Sequence, residues 1–306
     1  VEEILDQSFL LAGKVVVVTG AGGGVGEGIA KLAAAYGAKV VVNDLGVTLT
    51  GEAEAKSPAE ETVAEILAAG GEAVANTDSV AAFDGAQRMV ELAREKFGGL
   101  DAVVNNAGII RELAFQDTSI EDFDITLKVH LYGGFYLSRA AAPVFQAQKS
   151  GAYIHMTSST GMIGRKNLAA YAAAKMGVVG LMRAIALDMA EYGVVSNCIS
   201  PAAATRMSPK RATEEKDAAY KAAVRGDQVA PLAAFLASDA ARAITGQIIG
   251  VRRNELYLYS QPRPVRTLHR ADGWTVEALA AQLLPAWRTS LVPLEETQHV
   301  FAWDAI

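Results

Sequence analysis

Short runs of β-branched residues alternate with longer stretches of helical composition through the first two thirds of the chain. The runs at 15–19, 39–43, 73–76, 102–105, 153–157 and 194–199 are mostly apolar without interruption, as parallel strands covered on both faces require. Segments 27–36, 59–69, 83–97, 120–148 and 168–192 lie between them and read as helices. Repeated strand-then-helix units predict right-handed crossovers and an α/β fold, a doubly wound parallel sheet of about seven strands with helices on both faces.

That rhythm is interrupted twice. Residues 45–57 make a longer connection after the second run. From Val251 onward the composition turns to Arg, Pro and aromatic residues, and between Arg252 and Arg270 five arginines face one acid, Glu255. The chain therefore divides into a domain at 1–250 and a C-terminal extension at 251–306, packed on the same domain or on a neighbouring subunit. Arginine forks suit phosphate oxygens; the alternative is a solvated or subunit-facing segment paired with acids elsewhere.

Composition excludes several function classes. With 306 residues, 51% of them hydrophobic, the chain can bury a large core and is not mainly disordered. Lys plus Arg is 28 against 34 for Asp plus Glu, a net charge of -6, so duplex nucleic acid is not an expected partner. Cys198 is the one cysteine, which rules out an intramolecular disulfide or a thiolate cluster and weakly favours a cytoplasmic setting. His130, His155, His269 and His299 lack metal-ligand spacing, and no metal is expected. No apolar run approaches the roughly 18 residues of a membrane span, and neither a targeting signal nor a membrane partner is expected.

The first strand leads into Thr19-Gly20-Ala21-Gly22-Gly23-Gly24-Val25-Gly26. The strict G-x-G-x-x-G spacing does not fit this loop, whereas Gly20-x-x-x-Gly24-x-Gly26 does. A turn without Cβ atoms lets backbone N–H groups approach a pyrophosphate at a helix N-terminus, where the dipole favours negative charge. Gly20, Gly24, Val25 and Gly26 are thus expected at a dinucleotide. Asp44 ends the second strand 18 residues beyond Gly26. A carboxylate there accepts ribose hydroxyls and repels a 2′-phosphate, which favours NAD over NADP as cofactor; the plainer role is to cap a turn. Asp78 and Ser79 after the third strand, and Asn106, Ala107 and Gly108 after the fourth, are placed to meet the adenine half.

Tyr171 and Lys175 stand four apart in a helical segment and share one face. Tyr171 is the only tyrosine with a lysine four residues on. A tyrosine working as a base near neutrality needs its pKa lowered by about three units, and a neighbouring ammonium favours the phenolate. Ser158 lies thirteen residues earlier, at the carboxyl end of the fifth strand, where open α/β sheets bind ligands.

Thr19-Gly20-x-x-x-Gly24-x-Gly26, Asn105-Asn106-Ala107-Gly108, Ser158 and Tyr171-x-x-x-Lys175 together resemble the short-chain dehydrogenase/reductase pattern over about residues 8–250. The resemblance implies a Rossmann-type fold and an enzyme that oxidises a secondary alcohol. It makes Tyr171 the proton acceptor, Ser158 the holder of the substrate oxygen, and Lys175 the anchor of the nicotinamide ribose. It also implies cofactor contacts from Ala203 and Thr205, although Ala202 stands where the family usually has glycine. His130 occupies the place of the family's asparagine and is a fourth catalytic candidate, holding a water that relays protons to Lys175; a structural role for a histidine in an apolar helix weighs equally.

Residues 42–46, 75–80, 105–111 and 129–131 resemble more narrowly the (3R)-hydroxyacyl-CoA dehydrogenase units of peroxisomal multifunctional enzymes, also classed as 17β-hydroxysteroid dehydrogenases. The extension keeps a helix of their type at Trp274-Thr275-Val276-Glu277-Ala278. The expected substrate is a (3R)-hydroxyacyl-CoA or a steroid side-chain CoA ester, and the expected setting a free-standing relative with no hydratase or sterol-carrier domain. A free steroid is the alternative, and a non-catalytic dinucleotide binder a more distant one. The family implies a homodimer or homotetramer built on helices 120–148 and 168–192. It also places a substrate lid at 208–227, short enough here to leave an open pocket.

Overall fold

The computed structural model of the chain describes residues 10–47, 57–204 and 213–303. Eight strands form one sheet in the order β3-β2-β1-β4-β5-β6-β7-β8: β1 (Val15–Thr19), β2 (Lys39–Asn43), β3 (Glu72–Asn76), β4 (Ala102–Asn105), β5 (Gly151–Met156), β6 (Val194–Ala202), β7 (Ile248–Arg252) and β8 (Glu255–Leu258). The first seven run parallel, as the pattern predicts. The eighth is antiparallel to β7 and was hidden in the arginine-rich extension, where four residues give too short a pattern to read.

Alternation along each strand divides the core between two faces. Val16, Val18, Val40, Val42, Val104 and Ile154 share one cluster with residues of α1 (Gly24–Ala35) and α9 (Ala230–Ala237). Val15, Val17, Val41, Val103 and Tyr153 share the other with α3 (Phe83–Phe97) and α5 (Gly133–Gln148). Each fully buried valine or isoleucine contributes about 1.5–3 kcal/mol, so the sheet is a rigid base for the loops at its end.

The helix expected at 120–148 is broken. It forms α4 (Ile120–Leu127), a π-helical turn (Lys128–Tyr132) and α5. A π turn offsets the helix register by one residue and is common at functional sites. Here it carries His130. The remaining α-helices among the described residues are α2 (Pro58–Ala68), α6 (Ser159–Met162), α7 (Ala169–Asp188), α8 (Glu214–Ala223), α10 (Val276–Trp287) and α11 (Thr297–Val300). Contrary to the reading from apolar run lengths, α7 is long and apolar enough to cross a membrane by length and composition, with a mean hydropathy of 1.4. In the fold it packs Val178, Val179 and Met182 against Cys198 and Ile248.

The extension leaves β8 and returns. Helix α10 buries no residue. At α11 the chain is back at the sheet's end, where Thr297 donates through both its backbone N–H and its hydroxyl to the carbonyl of Gly164, at 2.9 and 3.0 Å.

Candidate active site

Strand order reverses between β1 and β4, so the chains leaving these strands diverge and open a crevice at their carboxyl ends. Asn106 keeps this crevice in shape. Its Nδ2 donates to the carbonyls of Thr19 and Gly20, at 2.9 and 3.0 Å, while Thr19 Oγ1 accepts from the backbone N–H groups of Asn106 and Ala107. A cavity of about 760 Å³ extends from the glycine loop, past the end of β5, to the turn between β7 and β8.

The glycine loop is sterically specified. Gly20 has φ +62°, and a Cβ there would lie 2.7 Å from Ala107 Cα; a Cβ on Gly26 would lie 2.2 Å from the Gly20 carbonyl oxygen. Helix α1 starts at Gly24, three residues earlier than the pattern suggests, and no side chain caps it. Its first N–H groups are therefore left to the cavity. Asp44 is buried, and its two carboxylate oxygens accept from Gly22 N–H and Gly46 N–H, each at 3.0 Å. The turn-capping role is thus present, and a carboxylate with about four acceptor sites retains capacity for hydroxyls. Uncapped N–H groups, a cradle that a Cβ would fill and a carboxylate at the end of β2 together fit a dinucleotide.

Asp78 also lines the cavity, with its carboxylate engaged by Arg88 and by Asn76 Nδ2 at 2.8 Å. Burial alone would raise its pKa, but these hydrogen bonds prevail and hold the carboxyl below its ordinary value. Ser79, Ala107, Gly108 and Ala203 line the same cavity. Thr205 lies outside the described residues.

Ser158 follows β5 and caps α6, its hydroxyl accepting from Thr160 N–H at 3.2 Å. Helix α7 brings Tyr171 and Lys175 to the same point, and all three line the cavity. Tyr171 meets the cavity with part of its surface, but protein surrounds most of the ring. That desolvation pushes its phenol up, and a hydrogen bond with Ser158 pulls it down. The acidified phenol expected from the sequence is not the outcome of these contacts, because burial outweighs the Ser158 hydrogen bond, and Lys175 stands off from the ring. Its Nζ donates to the Met156 carbonyl at 2.7 Å and lies 5.6 Å from the Tyr171 ring centroid. Burial loosens the lysine's own proton, pushing its pKa down to about 8.

His130 stands edge-on to the Tyr171 ring, with centroids 5.1 Å apart. Its Nε2 lies 2.7 Å from the Ile109 carbonyl and 3.2 Å from the Ile109 N–H; the shorter contact makes Nε2 the protonated nitrogen, and Nδ1 is buried without a hydrogen-bond partner among the described residues. Burial first, and the Lys175 charge second, hold this histidine neutral. Gly108 makes room for it, since a Cβ there would lie 2.4 Å from His130 Cε1. The histidine packs behind the phenol and anchors the π turn to the loop after β4.

Residues 20–252 match a family model described as enoyl-(acyl carrier protein) reductase. The chain belongs to the short-chain dehydrogenase/reductase family. This dehydrogenase is 48% identical over 195 residues to a short-chain type dehydrogenase/reductase of Mycobacterium tuberculosis, covering 64% of this chain and 68% of that one. It is 41% identical over 260 residues to the peroxisomal hydratase-dehydrogenase-epimerase of Neurospora crassa, covering 85% of this chain but only 28% of that longer protein. A crystal structure of a short chain dehydrogenase from Mycobacterium avium superposes with a TM-score of 0.84 at 36% identity, covering 94% of this chain and 99% of that one.

The cavity of the dehydrogenase also holds residues that sequence reasoning missed. Arg165, Leu168, Tyr220, Val224, Thr297 and Phe301 line its far end, together with Arg252 and Arg253 from the basic stretch. Arg263, Arg266 and Arg270 are exposed. No local pattern marks Thr297 or Phe301, which reach the site only through the return of the extension.

Proposed function

We propose that the protein is an NAD-dependent dehydrogenase that oxidises the 3-hydroxyl of a (3R)-hydroxyacyl-CoA. One observation carries this reading: Ser158, Tyr171 and Lys175 meet at the end of β5 in the same cavity as the glycine loop. The glycine loop and the α1 N-terminus would hold the pyrophosphate, Asp44 the adenine ribose, and Asp78, Ser79 and Asn106 to Gly108 the surroundings of the adenine. A bound nicotinamide dinucleotide supplies the acceptor for the hydride of the carbinol carbon. Ser158 holds the substrate oxygen, and Tyr171 takes the hydroxyl proton. Lys175, with two N–H donors beyond the one given to Met156, holds the nicotinamide ribose. His130 fixes the ring it packs against.

The substrate class is supported by the relatives called hydratase-dehydrogenase-epimerase and multifunctional enzyme type 2, at 41–46% identity. The test is NAD reduction across a panel of (3R)-hydroxyacyl-CoA esters of several chain lengths, their (3S) epimers and free 17β-hydroxysteroids. Turnover of the (3R) esters in preference to the others is expected. Preference for free steroids, or none for the (3R) configuration, would overturn the assignment.

The same chain presents apolar side chains on the helices that the family uses for assembly. Phe123 and Tyr132 on the α4–π segment, Phe135 on α5 and Leu187 on α7 are exposed. A homodimer or homotetramer through these helices is part of the proposal, tested by light scattering on the purified protein.

A further inference from the structure

The ends of the cavity carry opposite charge. Among the described residues its acids are Asp44 and Asp78, at the ends of β2 and β3, and its cations other than Lys175 are Arg165, Arg252 and Arg253. Five strand steps separate β2 from β7, about 24 Å at ~4.8 Å each. That is well beyond the ~8 Å screening length at physiological salt, so the acids do not neutralise the arginines.

The two hairpin arginines are not placed as a surface charge would be. Arg252 pairs with Glu255 across the β7–β8 ladder, which leaves Arg253 and Asn254 as the two turn residues. Arg253 has φ +54°, a conformation that favours glycine at the first position of a two-residue turn. Arg252 is fixed by Nη2 donating to the Trp303 carbonyl at 2.6 Å, with its guanidinium 5.5 Å from the Trp303 ring. Its Nη1 is buried and has no hydrogen-bond partner among the described residues. A guanidinium never gives up its proton, so an unpaired buried N–H is unfavourable unless an anion or water meets it. Arg165 approaches from the loop after α6, its one ion pair among the described residues a 3.4 Å contact with Glu112.

We infer that Arg165, Arg252 and Arg253 form a subsite for an anionic group of the substrate, a phosphate or a carboxylate, remote from the carbon that reacts at Ser158. This deepens, and rests on, the reading of the cavity as a dehydrogenase site. It favours a substrate carried on a phosphate-bearing thiol over a neutral one.

The subsite can be read without turnover. Coenzyme A and uncharged pantetheine are titrated calorimetrically into protein saturated with NADH, so that the adenine end is filled. Coenzyme A is expected to bind at least tenfold more tightly, and Arg252→Gln and Arg253→Gly are each expected to narrow that gap about tenfold. Arg253→Gly puts the residue favoured by φ +54° into the turn, so its melting temperature is expected at or above the parent's. In turnover, the ratio of kcat/KM for a (3R)-hydroxyacyl-CoA to that for its N-acetylcysteamine thioester is expected to fall in both variants. Should the loss appear on the free (3R)-hydroxy acid instead, the anion is the substrate's own carboxylate. Equal binding of coenzyme A and pantetheine, with neither variant affecting any of the three substrates, overturns the subsite. If coenzyme A binds through these arginines but no thioester is oxidised, the subsite stands and the proposed activity falls.

Discussion

The two ends of one cavity are built by different means. At the β1–β2–β4 end the surface is mostly backbone: glycines with no room for a Cβ, an uncapped helix start, and an asparagine holding two loops together. At the β6–β8 end it is side chains from distant segments, with Arg165, Arg252, Arg253 and Phe301 brought together only by the fold. Backbone sites recognise a generic feature such as a pyrophosphate, whereas assembled side chains can change without disturbing the sheet. Between them lies a buried floor of neutral His130 and charged Lys175, with His155 buried within reach of the lysine's charge. The proposed function places the cofactor at the first end, the substrate at the second, and proton transfer in the middle.

Variants break that division at different points. The largest effect is expected in the middle. Tyr171→Phe removes the proton acceptor and should lower kcat by about 10³-fold, within the range for a lost general base, while NADH fluorescence on binding persists. Turnover near the parent rate would show that the proton leaves by another route. At the cofactor end, Gly26→Ala forces a Cβ to 2.2 Å from the Gly20 carbonyl. Displacing that turn is expected to weaken dinucleotide binding by roughly 10- to 100-fold, since overpacking of this kind costs about 1–3 kcal/mol. Isothermal titration measures the loss, and parent affinity in the variant would place the pyrophosphate elsewhere.

The contrast between the ends also explains what the sequence made legible. The loop from Thr19 to Gly26 is contiguous and obeys a local steric rule, and Tyr171 and Lys175 sit one helical turn apart, so chemistry and spacing coincide. Helix α1 begins three residues before the pattern shows it, because glycines at its start carry little helical signal. The π turn leaves no mark on the sequence because it preserves the apolar pattern on either side of His130. Arg165 has no neighbour in sequence that marks it, and Thr297 reaches the site across 133 residues from Gly164. Such long-range closure depends on packing that periodicity does not encode.

A smaller effect is expected at the ribose. Asp44→Ala should weaken both dinucleotides, because it also frees the N–H groups of Gly22 and Gly46. It should lower the preference for NAD over NADP by about tenfold, the value of one charge-assisted contact. An unchanged ratio would limit Asp44 to its loop-capping role.

The smallest effect is one of pH and sharpens the view of the floor. His155 is buried and neutral, its pKa pushed down to about 3 from 6.5, mainly by burial and then by the Lys175 charge. Below 6.5 the unfolded chain binds this proton and the folded chain does not, so stability falls as pH drops from 6.5 toward 3. Urea denaturation should show a loss of about 1.4 kcal/mol per pH unit from this residue, and His155→Gln should flatten the slope. Lys175, down to about 8 from 10.5, has the same sign in its own window: stability should rise as pH climbs from 8 to 10.5.

The central claim is that one cavity orders adenosine, reacting centre and substrate anion from β2 to β7. A crystal structure of the protein with NAD and a coenzyme A thioester tests it most directly. The account predicts adenine ribose at Asp44, the nicotinamide facing the Tyr171 hydroxyl, and substrate phosphates against Arg252 and Arg253. A dinucleotide bound in the reverse direction, or a Tyr171 hydroxyl with no path to the nicotinamide, would contradict it.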